Sequence, residues 1–117
     1  MNMEILKHIK SPAVDKIINP EKQGRHILGH RLYIDGRSYL LDGVDPQELV
    51  DKYHGTGDIK VDRNGNWDSK EYVTALIDIG VDIDPKTGQQ TITNRFTIHY
   101  SKTGTHIVPT ERRDYPQ

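Results

Sequence analysis

The sequence predicts an α+β fold, a helical N-terminal part followed by an antiparallel sheet of hairpins. Three observations carry that expectation. The strongest helix start, Asp45-Pro46-Gln47-Glu48, lies in the first half, with a capping aspartate, a proline for the first turn and a capping-box glutamate. After Gly57 the apolar spacing changes to period two, first at Ile59 and Val61. Turn residues then punctuate the chain at Asn64-Gly65, at Asp84-Pro85-Lys86-Thr87-Gly88 and at Ser101-Lys102-Thr103-Gly104. With 117 residues the chain fits one domain, and its 33% hydrophobic content supports a small core.

In chain order, Ile5, Leu6, Ile9, Val14, Ile17 and Ile18 suit short helical turns broken at Ser11-Pro12 and ended by Asn19-Pro20. Residues 1–20 read as a helical leader or linker docked on a domain of residues 21–117. Lys22 to His30 reads as a glycine-punctuated loop feeding a strand, Arg31 to Ile34. Asp35-Gly36 is a hairpin-type turn into a second strand, Ser38 to Leu41. The helix begun at Asp45 uses Leu49, Val50 and Tyr53 as its apolar face and ends at His54-Gly55-Thr56-Gly57. Tyr72 to Asp82 is strand-like. Thr91 to Tyr100 alternates, with Ile92, Phe96, Ile98 and Tyr100 on one face and Thr93, Arg95, Thr97 and His99 on the other. The tail from Thr110 to Gln117 is polar and reads as loose.

Composition narrows the function classes. The formal charge is −1, which rules out a globally basic nucleic-acid coat. Charge is nevertheless segregated: residues 1–40 carry net +3, residues 41–90 net −6 and residues 91–117 net +2. Five of the six histidines sit in the basic ends, and four of these, His26, His30, His99 and His106, lie well inside the termini. Were those ends to fold together, they would make a histidine-bearing face able to attract phosphate locally. With no cysteine, disulfides, thiolate metal sites and cysteine nucleophiles are excluded. No apolar run approaches the roughly 20 residues of a membrane helix. The first ten residues lack a signal-peptide core, so any export device lies outside this sequence.

No metal set stands out, and no cofactor is expected. His26 and His30 have a helical metal-ligand spacing, but Gly29 lies between them and no third ligand follows. Asp78, Asp82 and Asp84 fit no cation loop, and Asp62-Arg63-Asn64-Gly65-Asn66 misplaces its glycine for an EF-hand. The richest segment is His99-Tyr100-Ser101-Lys102-Thr103-Gly104-Thr105-His106. A two-residue loop at Thr103-Gly104 would put Ser101 opposite His106, with His99, Ser101 and His106 on one face. A three-residue loop would put Tyr100 opposite His106 and turn His106 to the other face. Both registers are open at this level. Metal-free RNA cleavage needs a base for the 2′-hydroxyl, an acid for the departing 5′-oxygen and donors for the phosphorane charge. Histidines suit the proton roles, and lysine, arginine and hydroxyls suit the third. Tyr33, Trp67 and Tyr100 are candidates to stack a base.

Lys22-Gln23-Gly24-Arg25-His26-Ile27-Leu28-Gly29 with Tyr33 and Ser38-Tyr39-Leu40 resembles the opening of the polymorphic toxin type 50 domain. So do Asp45 to Tyr53, Gly55-Thr56-Gly57, Gly65-Asn66-Trp67 and, most strongly, His99 to Pro109. That family is described as ribonuclease toxins of the barnase/EndoU/colicin/RelE group, found at the C-terminus of larger polymorphic toxins or of phage minor head proteins. The resemblance implies N-terminal helices before a four- to five-stranded antiparallel β-sheet. It also implies His26 and His106 as the acid/base pair, Lys102 and Thr105 near the scissile phosphate, and His99 and Ser101 on the same face. Arg25 is then a phosphate contact. His30 departs from the pattern, where a small hydroxyl residue is expected, and the spacing from Tyr33 to Ser38 is short.

The resulting expectation is a metal-independent endoribonuclease toxin. Its partners would be an RNA substrate, a cognate immunity protein and a larger parent protein, with no membrane. It would act in the cytoplasm of a target or host cell. The alternative is a non-catalytic binding or assembly module of a phage minor head protein, which the near-neutral charge suits. A deoxyribonuclease is disfavoured because no carboxylate–histidine metal cluster is visible.

Overall fold

The computed structural model describes residues 2–111. The elements in order are helices α1 (Asn2–Lys10) and α2 (Pro20–Gly24), strand β1 (Tyr39–Leu40), helix α3 (Pro46–Tyr53), and strands β2 (Lys70–Thr74), β3 (Gly80–Ile83), β4 (Gln90–Thr93), β5 (Arg95–His99) and β6 (His106–Pro109). The α+β class therefore holds. The strands do not form a single sheet of four or five: they divide into two antiparallel sheets of three, ordered β1-β3-β4 and β2-β5-β6. The expected loose tail lies outside the described residues beyond Glu111.

Local chemistry explains the helices. Asn19 does not end a segment, as its proline neighbour suggested, but starts one: its side-chain oxygen accepts the Glu21 and Lys22 N–H groups (both 3.1 Å), and Pro20 opens α2. An Asn-Pro pair stops one helix and starts another with equal ease, and only the following residues decide. Asp45 caps α3 by accepting the Gln47 N–H at 2.9 Å, and the helix ends before His54 as expected.

The strands differ from expectation wherever partner choice is non-local. Arg31 to Ile34 forms turns rather than a strand, so the first hairpin is absent. Tyr39 and Leu40 pair instead with Val81 and Gly80. The run from Tyr72 to Asp82 splits, because Ala75 to Ile79 crosses from one sheet to the other. The alternating run from Thr91 to Tyr100 also splits, at Asn94, whose side-chain amide donates to the Ala75 carbonyl (2.9 Å). Ile92 consequently leaves its expected face and is exposed, while Phe96 and Ile98 remain fully buried. Val61 and Trp67 do bridge across Asn64-Gly65, with Gly65 at φ +81° as such a turn requires.

The core joins both sheets to the helices: Ile9 of α1 and Val50 of α3 are buried with Val73, Ile79, Phe96, Ile98 and Ile107. Glu71 is buried among them. Its carboxylate accepts the Gly55 N–H (3.0 Å), the Gly57 N–H (2.7 Å) and the Tyr100 hydroxyl (2.6 Å). Those donors satisfy a carboxylate that burial alone would strongly penalise.

Candidate active site

β5 and β6 pair with His99 opposite His106 and Ile98 opposite Ile107. Neither hairpin register open from sequence is the observed one, because the chain leaves the ladder for all of Tyr100 to Thr105 before it returns. Paired residues share a face, so the isoleucines enter the core and both histidines stand on the reverse side. The two rings stack at 4.7 Å between centroids, 18° from parallel.

His26 arrives from the turn after α2 and stacks on His106 at 5.8 Å, 8° from parallel. Three constraints hold it. Its N–H donates to the Gln23 carbonyl (2.9 Å), its carbonyl accepts the Leu40 N–H (3.0 Å), and its ring Nδ1 meets the Ser38 carbonyl at 2.9 Å. A carbonyl only accepts, so Nδ1 carries the proton and Nε2 is left as a basic lone pair. Gln23 ties the two histidine-bearing elements together. Its side-chain amide donates to the Ile107 carbonyl (3.0 Å) and accepts the Ile107 N–H (2.8 Å), an imitation of strand pairing one residue from His106.

These histidines line a cleft of about 290 Å³ together with Arg25, Arg37, Ile34 and Val108. Burial lowers all three below the ordinary histidine value of 6.5, His99 to about 3 and His106 to about 4. Neighbouring charge adds to this: His106 and Lys70 act on His99, and His26, Lys22 and Arg25 act on His106. For His26, Arg37 and Arg25 add to burial, against the opposing hydrogen bond to Ser38. The free cleft is therefore a set of neutral imidazoles in a cationic surround, a place where an anion lowers the electrostatic cost.

The sequence model of the bacterial toxin 50 family matches residues 18–109, a span that takes in α2, the cleft and the hairpin. The chain belongs to the bacterial toxin 50 family. A search of the curated proteins returns no match. No helix among the described residues is long and apolar enough to cross a membrane.

Within this toxin domain the remaining candidates from sequence go elsewhere. Thr105 is fully buried, and its hydroxyl donates to the His99 carbonyl at 3.1 Å. Its backbone bonds Ile17 and Asn19, so it joins the hairpin to the N-terminal segment. Tyr100 is committed to Glu71 in the core, a contact that, with burial, pushes its hydroxyl pKa up. Tyr33 donates its hydroxyl to the Arg37 carbonyl (2.6 Å) and packs edge-on to Tyr39. Trp67, Ser101 and Lys102 line a second, larger groove. His30 does not join His26: its ring lies over Gly24, where a Cβ would come within 2.3 Å of it, and its Nδ1 accepts the Leu32 N–H. Three contributors escaped the sequence reading as site residues, namely Arg37, Lys22 and Gln23. Arg37 carried no signal, because it reaches the cleft only through the fold of the 31–38 segment. Gln23 sits one turn before His26, and that spacing was its only mark.

Proposed function

We propose that this toxin domain is a metal-independent endoribonuclease that cleaves RNA by transesterification. The observation that carries the reading is the convergence of His26, His99 and His106, from distant parts of the chain, in one cleft beside Arg25 and Arg37. This donor set supplies both proton roles and a charge clamp for phosphate. His26 Nε2 takes the proton of the 2′-hydroxyl as that oxygen bonds to phosphorus. The bond from phosphorus to the 5′-oxygen breaks, and protonated His106 gives its proton to the departing oxygen. The products are a 2′,3′-cyclic phosphate and a 5′-hydroxyl. The bound phosphodiester offsets the surrounding cations and raises the His106 pKa, so the acid is charged when substrate is present. Arg25 and Arg37 hold the phosphate, and His99 backs His106.

Helices preceding antiparallel strands support kinship with the barnase/EndoU/colicin/RelE group. On this reading the domain is carried by a larger parent protein, acts in the cytoplasm of a target or host cell, and is neutralised by an acidic immunity protein that covers the cleft.

Purified chain incubated with total RNA in excess chelator tests the activity. Cleavage is expected to persist, to leave 2′,3′-cyclic phosphate ends, and to fall by roughly 10²–10⁴-fold in His106→Ala with the fold intact. Because both proton-transfer groups are lowered in the free protein, both limbs of the kcat/KM profile are expected on the acid side of 6.5, with the limb set by His106 moved to higher pH in the kcat profile. Intact RNA at high enzyme excess, together with harmless expression in bacteria, would overturn the reading in favour of a binding module.

A further inference from the structure

His99 lines the catalytic cleft, but the next three residues, Tyr100, Ser101 and Lys102, line a different depression. That groove holds about 740 Å³, more than twice the volume of the cleft, and runs between the N-terminal segment and the hairpin. Trp67 forms part of its wall, set edge-on to His8 (6.3 Å) and tilted against Tyr100 (5.8 Å). Lys102 stands exposed at the hairpin tip. Lys16 is part of the wall too, with its ammonium donating to the Ile9, Ser11 and Val14 carbonyls (2.7–2.9 Å). The lining carboxylate, Asp15, accepts the Ile17 N–H.

Two further features connect this groove with the chemistry. Lys22, whose charge bears on His106, donates to the Ser101 and Thr103 hydroxyls (2.9 and 2.7 Å), which places a cation on the ridge between the depressions. Ser69, another wall residue, has φ +63° and is the sole non-glycine residue with positive φ among the described residues. Its carbonyl accepts the Tyr100 N–H at 2.9 Å. Backbone strain of this kind persists where the surroundings over-determine a conformation, and it clusters at ligand-binding sites.

We infer that the groove takes a nucleotide of single-stranded RNA flanking the scissile phosphate, its base against Trp67 and its phosphate toward Lys102. The inference rests on the ribonuclease reading of the neighbouring cleft. A strand leaving the cleft crosses Lys22 and the Ser101–Thr103 ridge, meeting cations and hydroxyls, and then an aromatic wall. That order suits a polyanion with stacking bases. An apolar peptide would gain nothing from the ridge cations.

Trp67 is the chain's single tryptophan, so the unmodified protein carries its own reporter. A 2′-O-methyl oligoribonucleotide of four residues, which cannot be cleaved by 2′-hydroxyl attack, is titrated against the full chain. Tryptophan emission and the anisotropy of a labelled oligomer are followed in parallel. Saturable quenching that tracks the anisotropy is expected. Lys102→Ala is expected to weaken binding about tenfold, and Lys86→Ala, on the distant β3–β4 turn, to leave it unchanged. Binding by anisotropy with unaltered tryptophan emission would overturn the groove while leaving the catalytic cleft standing. Quenching in a protein that never cleaves RNA would support the groove and sink the ribonuclease reading. Absence of binding by either readout would overturn the groove.

Discussion

β4 and β5 follow one another in the chain with a single residue between them and similar alternating compositions, Gln-Thr-Ile-Thr and Arg-Phe-Thr-Ile-His. β4 lies at the edge of its sheet, with Ile92 62% exposed and Thr93 turned inward. β5 lies at the centre of the other, with Phe96 and Ile98 at 0% exposure. The same period-two pattern thus yields an apolar residue in water on one strand and a filled core on the next. Position in the sheet decides which alternate face is buried, because burial depends on neighbours rather than on the strand's own residues. The consequence reaches the candidate site. His99 projects from a strand clamped on both edges and packed beneath, so its ring has a fixed platform.

The largest test of this contrast is Phe96→Ala, expected to cost about 3–5 kcal/mol. Thermal or denaturant unfolding of the variant beside the unmodified chain measures it, and a cost under 1 kcal/mol would contradict the burial of β5. Gln23→Leu comes next. It strands the Ile107 N–H and carbonyl inside the protein, for a loss of about 1–3 kcal/mol. On the proposed ribonuclease reading, RNA cleavage should fall further than the remaining folded fraction explains, since His26 and His106 lose their common clamp.

Acidification is a third probe. His26, His99 and His106 have folded-state pKa values below the unfolded value of 6.5, so below that pH the unfolded chain binds more protons than the folded one. Stability is therefore fully present above 6.5 and declines as pH falls from there toward about 3, through the His106 value of about 4. Melting temperatures across that window should drop, and His99→Asn should flatten the slope. The smallest effect is expected at Ile92→Thr, within about 0.5 kcal/mol in the same unfolding assay. A larger loss would mean that β4 is covered in solution.

Much of the local structure was legible. The cap at Asp45, the turn at Asn64-Gly65 and the turn before β4 depend on side chains and positive-φ glycines a few residues apart, and the chain alone specifies them. The residues of Arg31 to Ile34 tolerate extended backbone, which is why the sequence suggests a strand there, but the segment forms turns and β3 pairs with Tyr39 and Leu40 instead. The placement of the candidate residues was half legible. His26, His99, His106 and Arg25 line one cleft, while Lys102 and Trp67 line the neighbouring groove and Thr105 is buried against the His99 carbonyl.

The sequence by itself determined the α+β class, the cap at Asp45, the turns at Asn64-Gly65 and before β4, and the family. These rest on interactions within a few residues or on an ordered set of motifs. Only the tertiary structure decided that the strands divide into two sheets and that His26 lies over His106. It also decided that a glutamine 84 residues away in sequence completes the backbone bonding of Ile107. The physical reason is that such contacts compete with many alternatives of similar local energy. The winner is chosen by which arrangement buries Phe96, Ile98 and Ile107 while leaving the polar groups around them bonded.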